Sequence, residues 1–392
     1  MPVAKFKQLL PIYLGAVIGP MGGIGVITLL PVLAQEWNVS IQWVSFTVTL
    51  YMVPFIVFQL FSGSIAHVFD TRRTLLFGFG VYSVGGLLSG FSPSLETLVG
   101  ARFVQGLGAA FIAPIVMALV GEMVSPERLG KAIGWLGVMY TIGVTMGPLI
   151  SGFLEVHLGW SWFFFFLVSF ALAVGGLYWV TSTPREQPAM KSGRLGDALT
   201  LVKRSYSYSA IRFLSMAAFF LFMGYIGLLT FIADYLKTSF SLPSDKIGLI
   251  LSMTGFLGVV VSPLAGFFGD RCGRIIVAHT GQAIMVGAIL GLELVVYTYG
   301  KYILLFALFG AGAAATWTSL NTLAVESIPD LRKPVASAYS CVKFSGYALA
   351  PLVLSLFYVP FSISGVRLAC IACILISLFL TSRIRSSLRS AS

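Results

Sequence analysis

A chain of 392 residues in which 57% are hydrophobic and only 10% are charged lacks the charged surface of a soluble protein, which needs about a quarter. Its net charge of +11 would suit a nucleic-acid partner, but most of the basic residues lie in short segments between long apolar runs. The composition therefore excludes a soluble protein, argues against nucleic acid, and indicates that lipid is the solvent of this chain.

Apolar runs long enough to cross a bilayer, about 20 residues each, occur twelve times along the chain. Six lie in the first part of the sequence, at 9–33, 42–66, 74–91, 95–121, 132–155 and 161–181. Six more follow, at 212–235, 244–268, 275–298, 302–325, 336–358 and 362–381. The first run is too long for the core of a signal peptide, so we predict a retained membrane helix. The pattern predicts an all-α membrane protein with twelve transmembrane helices.

One long polar segment, 183–211, separates the two sets of six runs. Nineteen of the 25 Lys and Arg residues lie on the membrane side that this segment shares with both termini, and four lie on the opposite side. By the positive-inside rule the richer side is cytoplasmic. We therefore predict a multi-pass protein of the cell (inner) membrane, with six-helix halves at 1–182 and 212–392 joined by a cytoplasmic linker.

The two halves repeat each other at a nearly constant offset. Gly106-Leu-Gly-Ala-Ala recurs 204 residues later as Gly310-Ala-Gly-Ala-Ala, and Pro148 recurs 203 residues later as Pro351. Matches in the same order at one offset indicate gene duplication. The halves should be pseudo-symmetric, with a substrate site between them near the middle of the membrane.

The short basic loop after the second helix of each half carries a recognisable signature. In the second half, Gly266-Phe-Phe-Gly-Asp270-Arg271-Cys-Gly273-Arg274 resembles the loop signature of the major facilitator superfamily, G-x-L-a-D-R-x-G-R. In the first-half copy, His67 stands at the position of the aspartate and Asp70 at the position of the second glycine. Because a tight turn favours glycine, we predict that the turn at Asp70 is altered.

The resemblance implies that these loops lock the cytoplasmic gate. Glu122 and Glu326 end helices four and ten on the same side, and their repetition suggests gate or scaffold work. The implied gating residues are His67, Asp70, Arg72, Asp270, Arg271, Arg274, Glu122 and Glu326. At His67 a pH-sensitive lock and simple sequence drift both remain open.

Two helix motifs extend the resemblance over the chain. Leu98-Val-Gly-Ala-Arg102-Phe-Val-Gln105-Gly106-Leu-Gly108-Ala-Ala is similar to the fourth-helix signature of the superfamily. The segment from Gly143 to Gly152 resembles the fifth-helix motif of the twelve-helix drug:proton antiporters, with Ser151 in place of one glycine. Close helix packing is implied at Gly143, Gly147, Pro148 and Gly152, as are alternating access, a monomeric state and the absence of cofactors.

Charges within membrane helices need a partner or a role, because each costs about 2.5–3.5 kcal/mol at the bilayer centre. For Arg102 the resemblance implies a role in proton exchange, and the alternative is a structural arginine bonded to backbone carbonyls. Asp234, near the outer end of helix seven, is the first choice for a proton-carrying carboxylate, although it could equally be a wetted interfacial residue. Helix one and the middle of helix four carry no acid, which counts against proton antiport.

The expected substrate pocket has aromatic and lightly polar walls. Its predicted residues are Tyr13, Met21, Thr28, Gln105, Tyr225, Trp317, Asn321 and Lys343. Trp317 and Asn321 lie four residues apart and so share a helix face. Lys343 either anchors an anionic substrate or extends its side chain toward the interface.

These observations favour a proton-driven exporter of small amphipathic compounds, with lipids and protons as its other partners. The alternative is a transporter of an organic anion or metabolite that uses Arg102 and Lys343. A lipid flippase or membrane sensor on the same fold also stays open. An enzyme is not expected, because the three histidines are scattered and no nucleotide-binding loop is present. No metal site is predicted, since Cys370 and Cys373 lie inside an apolar helix.

Overall fold

The computed structural model describes residues 3–124, 126–182, 206–328 and 332–389, and this part of the chain is helical with short connections. Most of the predicted linker, 183–205, lies outside the described residues. The first six helices are α1 Val3–Glu36, α2 Ile41–Phe69, α3 Thr71–Gly90, α4 Leu95–Met123, α5 Pro126–Leu158 and α6 Ser161–Thr181. The next four are α7 Ser209–Phe240, α8 Ser244–Cys272, α9 Arg274–Leu294 and α10 Tyr299–Glu326.

The last helical element, Arg332–Arg389, is interrupted at Ser362, where φ is 53° and ψ is −152°. We therefore treat it as two helices, α11 (332–361) and α12 (363–389). The described residues thus contain twelve helices in the predicted order, and the all-α prediction is confirmed. Within the described ranges, ten stretches are long and apolar enough to cross a membrane, and the last of them, Val335–Ile384, runs through both α11 and α12.

The helices form two compact units. The first contains Met1–Gly193 together with Pro243–Gly248, and the second contains Arg194–Leu242 and Leu249–Ser392. In the first unit, α1 packs against α5, and α4 packs against both α2 and α3. In the second unit, α7 packs against the last helical element, and α9 packs against α10.

Glycines at equivalent positions bring helix backbones together in each unit. A Cβ atom on Gly106 would lie 2.0 Å from the carbonyl oxygen of Tyr51. Its repeat equivalent, Gly310, would place a Cβ atom 2.1 Å from the carbonyl oxygen of Thr254. Small residues allow this approach, and packing of this kind holds helices together where lipid provides no hydrophobic force between them. The duplication seen in the sequence therefore extends to the internal packing of each unit.

The glycine face of α5 lies against α1. A Cβ atom on Gly143 would lie 2.5 Å from the carbonyl oxygen of Val17, and one on Gly147 would lie 2.7 Å from that of Met21. Further along α5, Gly152 lies against the backbone of Ser244 within the first unit. The fifth-helix motif is thus the part of α5 that lies in close contact with the backbones of α1 and Ser244.

The prediction of an altered turn at Asp70 is wrong. Asp70 has φ 75° and ψ 127°, close to the φ 97° and ψ 138° of Gly273 at the equivalent position. A single residue joins α2 to α3 here, so the connection requires positive φ whatever the side chain. The aspartate compensates through its carboxylate, which accepts a hydrogen bond from the backbone N–H of Arg73 at 3.1 Å and caps α3.

Candidate functional site

Arg102 is fully buried in the first unit, and its guanidinium is enclosed by acceptors from α1, α2 and α4. It donates to the carbonyl oxygens of Gly22 at 3.0 Å and Thr47 at 3.3 Å, and to Oε1 of Gln105 at 2.5 Å. The ring of Tyr51 lies 4.1 Å from the guanidinium carbon. These contacts match the structural interpretation of Arg102, because backbone carbonyls and a cation–π contact satisfy the buried cation.

Gln105 belongs to this cluster and not to an open pocket. The residue is fully buried, and its side-chain oxygen is taken up by Arg102. Its Nε2 has no hydrogen-bond partner among the described residues. The predicted substrate contact at Gln105 therefore has no support in the surroundings of its side chain.

The equivalent positions of the second unit hold an aromatic cluster in place of the arginine. Phe306, at the position of Arg102, is fully buried, and Phe309 takes the position of Gln105. The ring of Phe309 stacks on that of Tyr225 at 5.5 Å, and the hydroxyl of Tyr225 is 2.9 Å from Oγ1 of Thr254. The same scaffold thus encloses a charge in one unit and aromatic rings in the other.

The aromatic cluster continues from α7 to α10. Trp317 lies 5.7 Å from the ring of Tyr225 and 6.1 Å from that of Phe222. Phe222 in turn lies 6.1 Å from Phe344 on α11. The predicted pocket residues Tyr225 and Trp317 therefore do meet, and Phe222, Phe309 and Phe344 join them although the sequence did not single them out.

Lys343 stands at the end of this cluster. Its residue is only 9% exposed, and its Nζ lies 3.5 Å from Oδ1 of Asn321. Three ring centres surround the ammonium group, those of Phe344 at 4.6 Å, Tyr339 at 5.2 Å and Phe222 at 5.5 Å. Among the described residues, the ion pairs found do not include Lys343.

Asp234 is also 9% exposed, and its Oδ2 accepts a hydrogen bond from the hydroxyl of Tyr358 at 2.6 Å. This contact joins α7 to α11, and the ring of Phe231 packs on Tyr358 at 4.8 Å. Asp234 is absent from the ion pairs of the described residues. It is thus a buried carboxylate held by a tyrosine. No pattern in a single sequence indicates this partner 124 residues away.

Glu293 on α9 forms an ion pair with Arg367 on α12. The Arg367 guanidinium lies 2.7 Å from Oε2 of Glu293 and donates to the hydroxyl of Tyr302 at 3.1 Å. Arg367 is only 5% exposed. The pair ties α12 to α9 and α10, so both charges are accounted for within the second unit.

Of the three predicted pocket residues of α1, Tyr13 has a hydrogen-bond partner within the first unit. The hydroxyl of Tyr13 donates to the carbonyl oxygen of Ala132 at 3.1 Å. Met21 and Thr28 are buried, and the Thr28 hydroxyl has no hydrogen-bond partner among the described residues. Of the three, only Tyr13 is partly exposed.

The predicted gating residues have different partners in the two units. Arg274 donates to the carbonyl oxygen of Gly266 at 2.9 Å and pairs with Asp270 and with Glu326, the latter at 3.2 Å. Arg271 stacks over the ring of Phe267 at 4.1 Å. The loop of the second unit is therefore tied to the end of α10.

In the first unit the corresponding tie runs to α6. Arg72 donates to the Ser182 hydroxyl and to the carbonyl oxygen of Trp179, both at 2.8 Å, and stacks over the Trp179 ring. Glu122 is exposed. The side chain of His67 lies outside the described residues.

Within the described residues, no group of three or more His, Cys, Asp or Glu side chains is arranged to hold a metal ion. Cys370 and Cys373 are buried and not disulfide-bonded, and a Cβ atom on Gly224 of α7 would lie 3.2 Å from the carbonyl oxygen of Cys370 and 3.3 Å from Cβ of Cys373.

Comparison with known proteins places these features in context. The sequence model of the Major Facilitator Superfamily matches residues 12–351, with a second match at 214–387. The riboflavin transporter RibZ of Clostridioides difficile (strain 630) is 21% identical over 379 residues, covering 84% of this chain and 82% of that protein. A multidrug resistance protein B homolog of Mycobacterium tuberculosis is 30% identical over 147 residues, covering 37% of this chain and 27% of that protein. A solved structure of a bacterial homolog of the human lysosomal transporter Spinster, inward-facing and unoccupied, has a TM-score of 0.76 at 17% identity, covering 99% of this chain and 98% of that one.

Proposed function

The chain belongs to the Major Facilitator Superfamily, whose twelve-helix fold it has, and from this premise we propose that it exports a small amphipathic molecule in exchange for protons. The family makes it a multi-pass membrane transporter of small molecules. The substrate class, the direction and the proton coupling are our proposal.

The aromatic cluster of the second unit carries the proposal for an amphipathic substrate. Phe222, Tyr225 and Trp317 form a continuous wall on α7 and α10, with ring separations of 5.7 and 6.1 Å. Phe222 and Trp317 are only partly buried, so ring surface is available to a ligand. Ligand sites are mostly apolar with a few placed polar groups, and beside the Phe222 ring the Lys343 ammonium lies 3.5 Å from the amide oxygen of Asn321.

Asp234 carries the proposal for proton coupling. A buried carboxylate in a membrane helix without a basic partner is expensive when ionised, and such groups mark proton pathways in transporters. The Tyr358 hydroxyl supplies one hydrogen bond at 2.6 Å and links α7 to α11. We propose that Asp234 takes up the proton that exchanges with the substrate, and that Tyr358 positions it.

The contacts of Arg102 support a structural role instead of the role in proton exchange that the resemblance implied. Its donors are directed to Gly22, Thr47 and Gln105 in its own unit, so we propose that it braces α1, α2 and α4. This removes Arg102 from the organic-anion alternative, of which only the Lys343 part retains a specific observation.

The membrane topology, the oligomeric state and the gate are also part of the proposal. The Lys and Arg bias supports cytoplasmic termini and linker in the cell membrane, with the linker at 183–211 between the halves 1–182 and 212–392. We propose a monomer that works by alternating access, in which the loop ties of Arg72 and Arg274 act at the gate.

Purified protein in liposomes that contain a pH-sensitive dye would test this proposal. Three naphthalene probes that do not titrate are suitable: 1-naphthalenesulfonate, 1-naphthamide and (1-naphthylmethyl)trimethylammonium. Under an imposed pH gradient, at least one probe should cause proton flux through the wild type that empty liposomes lack. Asp234→Asn should abolish this flux, and Tyr358→Phe should reduce it, because it removes the hydrogen bond to the carboxylate.

Asp245→Asn is the matched control, since Asp245 lies at the start of α8 and its carboxylate accepts a hydrogen bond from the backbone N–H of Lys246. Equal flux in wild type and Asp234→Asn would end the proposed role of Asp234. Probe movement without any proton flux would replace antiport with uncoupled transport.

A further inference from the structure

Lys343 is a buried cation whose surroundings leave it incompletely satisfied. The ammonium group has three N–H donors, and the amide oxygen of Asn321, at 3.5 Å, is its one hydrogen-bond acceptor among the described contacts. The other near neighbours are the ring faces of Phe344, Tyr339 and Phe222. Ring faces attract a cation but accept hydrogen bonds only weakly. Burial therefore costs free energy that these neighbours only partly offset.

The fold itself does not require this arrangement, because the first unit packs the same positions without it. The equivalent of Lys343 is Tyr140, whose hydroxyl donates to the carbonyl oxygen of Ala113, the equivalent of Trp317. The equivalents of the three rings and the amide are not aromatic and not polar amides: Gly19 for Phe222, Leu136 for Tyr339, Thr141 for Phe344 and Met117 for Asn321. The cation and its rings are an addition to the duplicated scaffold in the second unit.

One of the rings around the ammonium carries a second buried polar group. The hydroxyl of Tyr339 has no hydrogen-bond partner among the described residues, although the residue is only 2% exposed. The Tyr339 ring faces the Lys343 ammonium at 5.2 Å. A buried donor that is left unpaired costs free energy, so a group that accepts hydrogen bonds from both Lys343 and Tyr339 would be strongly favoured here.

From these contacts we propose that Lys343 binds the acidic group of an aromatic monoanion, whose ring system lies on the wall formed by Phe222 and Trp317. The single cation fits one negative charge, and the wall continues away from it through rings 6.1 Å apart. The amide oxygen of Asn321, an exposed residue, accepts a hydrogen bond from the ammonium at 3.5 Å. This inference rests on the proposed function, since it uses the same wall, and adds the charge of the substrate.

Equilibrium dialysis of the full chain in lipid nanodiscs, against the same three naphthalene probes, tests the charge separately from transport. Empty nanodiscs correct for partitioning into lipid. The wild type should bind 1-naphthalenesulfonate at least about tenfold more tightly than 1-naphthamide, because a hydrogen bond to a charged group typically contributes that much. The trimethylammonium probe should bind most weakly.

Lys343→Met should remove the preference for the sulfonate and leave amide binding within about twofold, since methionine keeps the length and loses the charge. Lys343→Tyr introduces the residue that the first unit holds at this position, so it provides a second neutral variant that the scaffold accommodates. Lys343→Arg should keep most of the preference. Lys301→Met, which removes an exposed lysine from α10, is the matched control and should bind all probes as the wild type does.

Absence of a sulfonate preference in the wild type would overturn the inference, as would a preference that survives in both Lys343→Met and Lys343→Tyr. Equal weakening of all three probes in these variants would also overturn it, because the lysine would then only shape the pocket. Trp317→Leu separates this result from the proposed function. It should weaken all probes alike if the wall holds the substrate, whether or not the sulfonate is preferred. Full binding in Trp317→Leu together with lost preference in Lys343→Met would retain the anion site and reject the wall.

Discussion

At the scale of single residues, Arg102 illustrates how a charge can be conspicuous in the sequence and structural in the fold. Its contacts run to Gly22 on α1, Thr47 on α2 and Gln105 on its own helix. Three helices of the first unit therefore meet at one guanidinium. Removing it takes away three hydrogen bonds to buried acceptors, and a hydrogen bond to a charged group contributes about 1.5–3 kcal/mol.

Arg102→Met should therefore lower the free energy of unfolding by at least about 3 kcal/mol. Thermal unfolding of the purified protein would show this as a lower transition temperature. Arg73→Met is the control, because Arg73 is exposed and its loss should change stability by no more than about 0.5 kcal/mol. Unchanged unfolding of Arg102→Met combined with lost proton flux would return Arg102 to the proton pathway.

Asp70 is strained by its backbone and stabilised by its side chain, and two substitutions separate these effects. Glycine relieves a positive-φ strain of about 1–3 kcal/mol and costs only a few tenths as a helix cap, so Asp70→Gly should stabilise the protein. Asp70→Ala keeps the strain and loses the cap, so it should destabilise by about 1 kcal/mol. The same thermal unfolding assay measures both variants, and a loss of stability in Asp70→Gly would mean that the carboxylate does more than cap α3.

At the scale of helices, the contact between α1 and α5 depends on glycines. Substituting a glycine at this contact should destabilise the protein, whereas substituting one outside it should not. Gly143 faces the backbone of α1, and Gly346 faces the backbone of α7 at the equivalent place in the second unit. Gly137, on the same helix as Gly143, has open space at its Cβ position. Helix α5 therefore provides its own control.

Gly143→Ala should destabilise by about 1–3 kcal/mol, because the new methyl group would lie 2.5 Å from the Val17 carbonyl oxygen and the helices would have to separate. Gly346→Ala should behave similarly, since its Cβ atom would lie 2.1 Å from the Phe219 carbonyl oxygen. Gly137→Ala should be neutral or stabilising by up to about 1 kcal/mol. Equal effects at Gly143 and Gly137 would contradict the close contact.

At the scale of the whole molecule, the orientation in the membrane is open to a direct test with a native thiol. Cys272 is exposed at the end of α8 and Cys341 is partly exposed, whereas Cys370 and Cys373 are buried. The excess of Lys and Arg predicts that Cys272 faces the cytoplasm.

In a Cys341→Ser variant, a membrane-impermeant maleimide should therefore label Cys272 in inside-out vesicles and not in intact cells, and adding Cys272→Ser should remove the label. In that background, Ser40→Cys, at an exposed position between α1 and α2, should be labelled from the outside of intact cells. The opposite pattern would invert the proposed topology.

The number of helices, their order and the duplication were determined by the sequence alone. Each membrane helix is a local run of apolar residues, and a repeat is visible wherever equal residues recur at one offset. The boundary between the last two helices and the conformation at Asp70 were less accessible, because both depend on how neighbouring helices constrain a single connecting residue.

Only the tertiary structure decided which residues meet. Arg102 joins carbonyls 55 and 80 residues away, and Asp234 joins a tyrosine 124 residues away. These pairs depend on which face each helix turns to its neighbour, and on how closely glycines let the backbones approach. The same scaffold therefore encloses an arginine in one unit and an aromatic wall ending in a lysine in the other. A membrane helix can be recognised from one local stretch of sequence, whereas the partner of a buried charge is determined by how the helices pack.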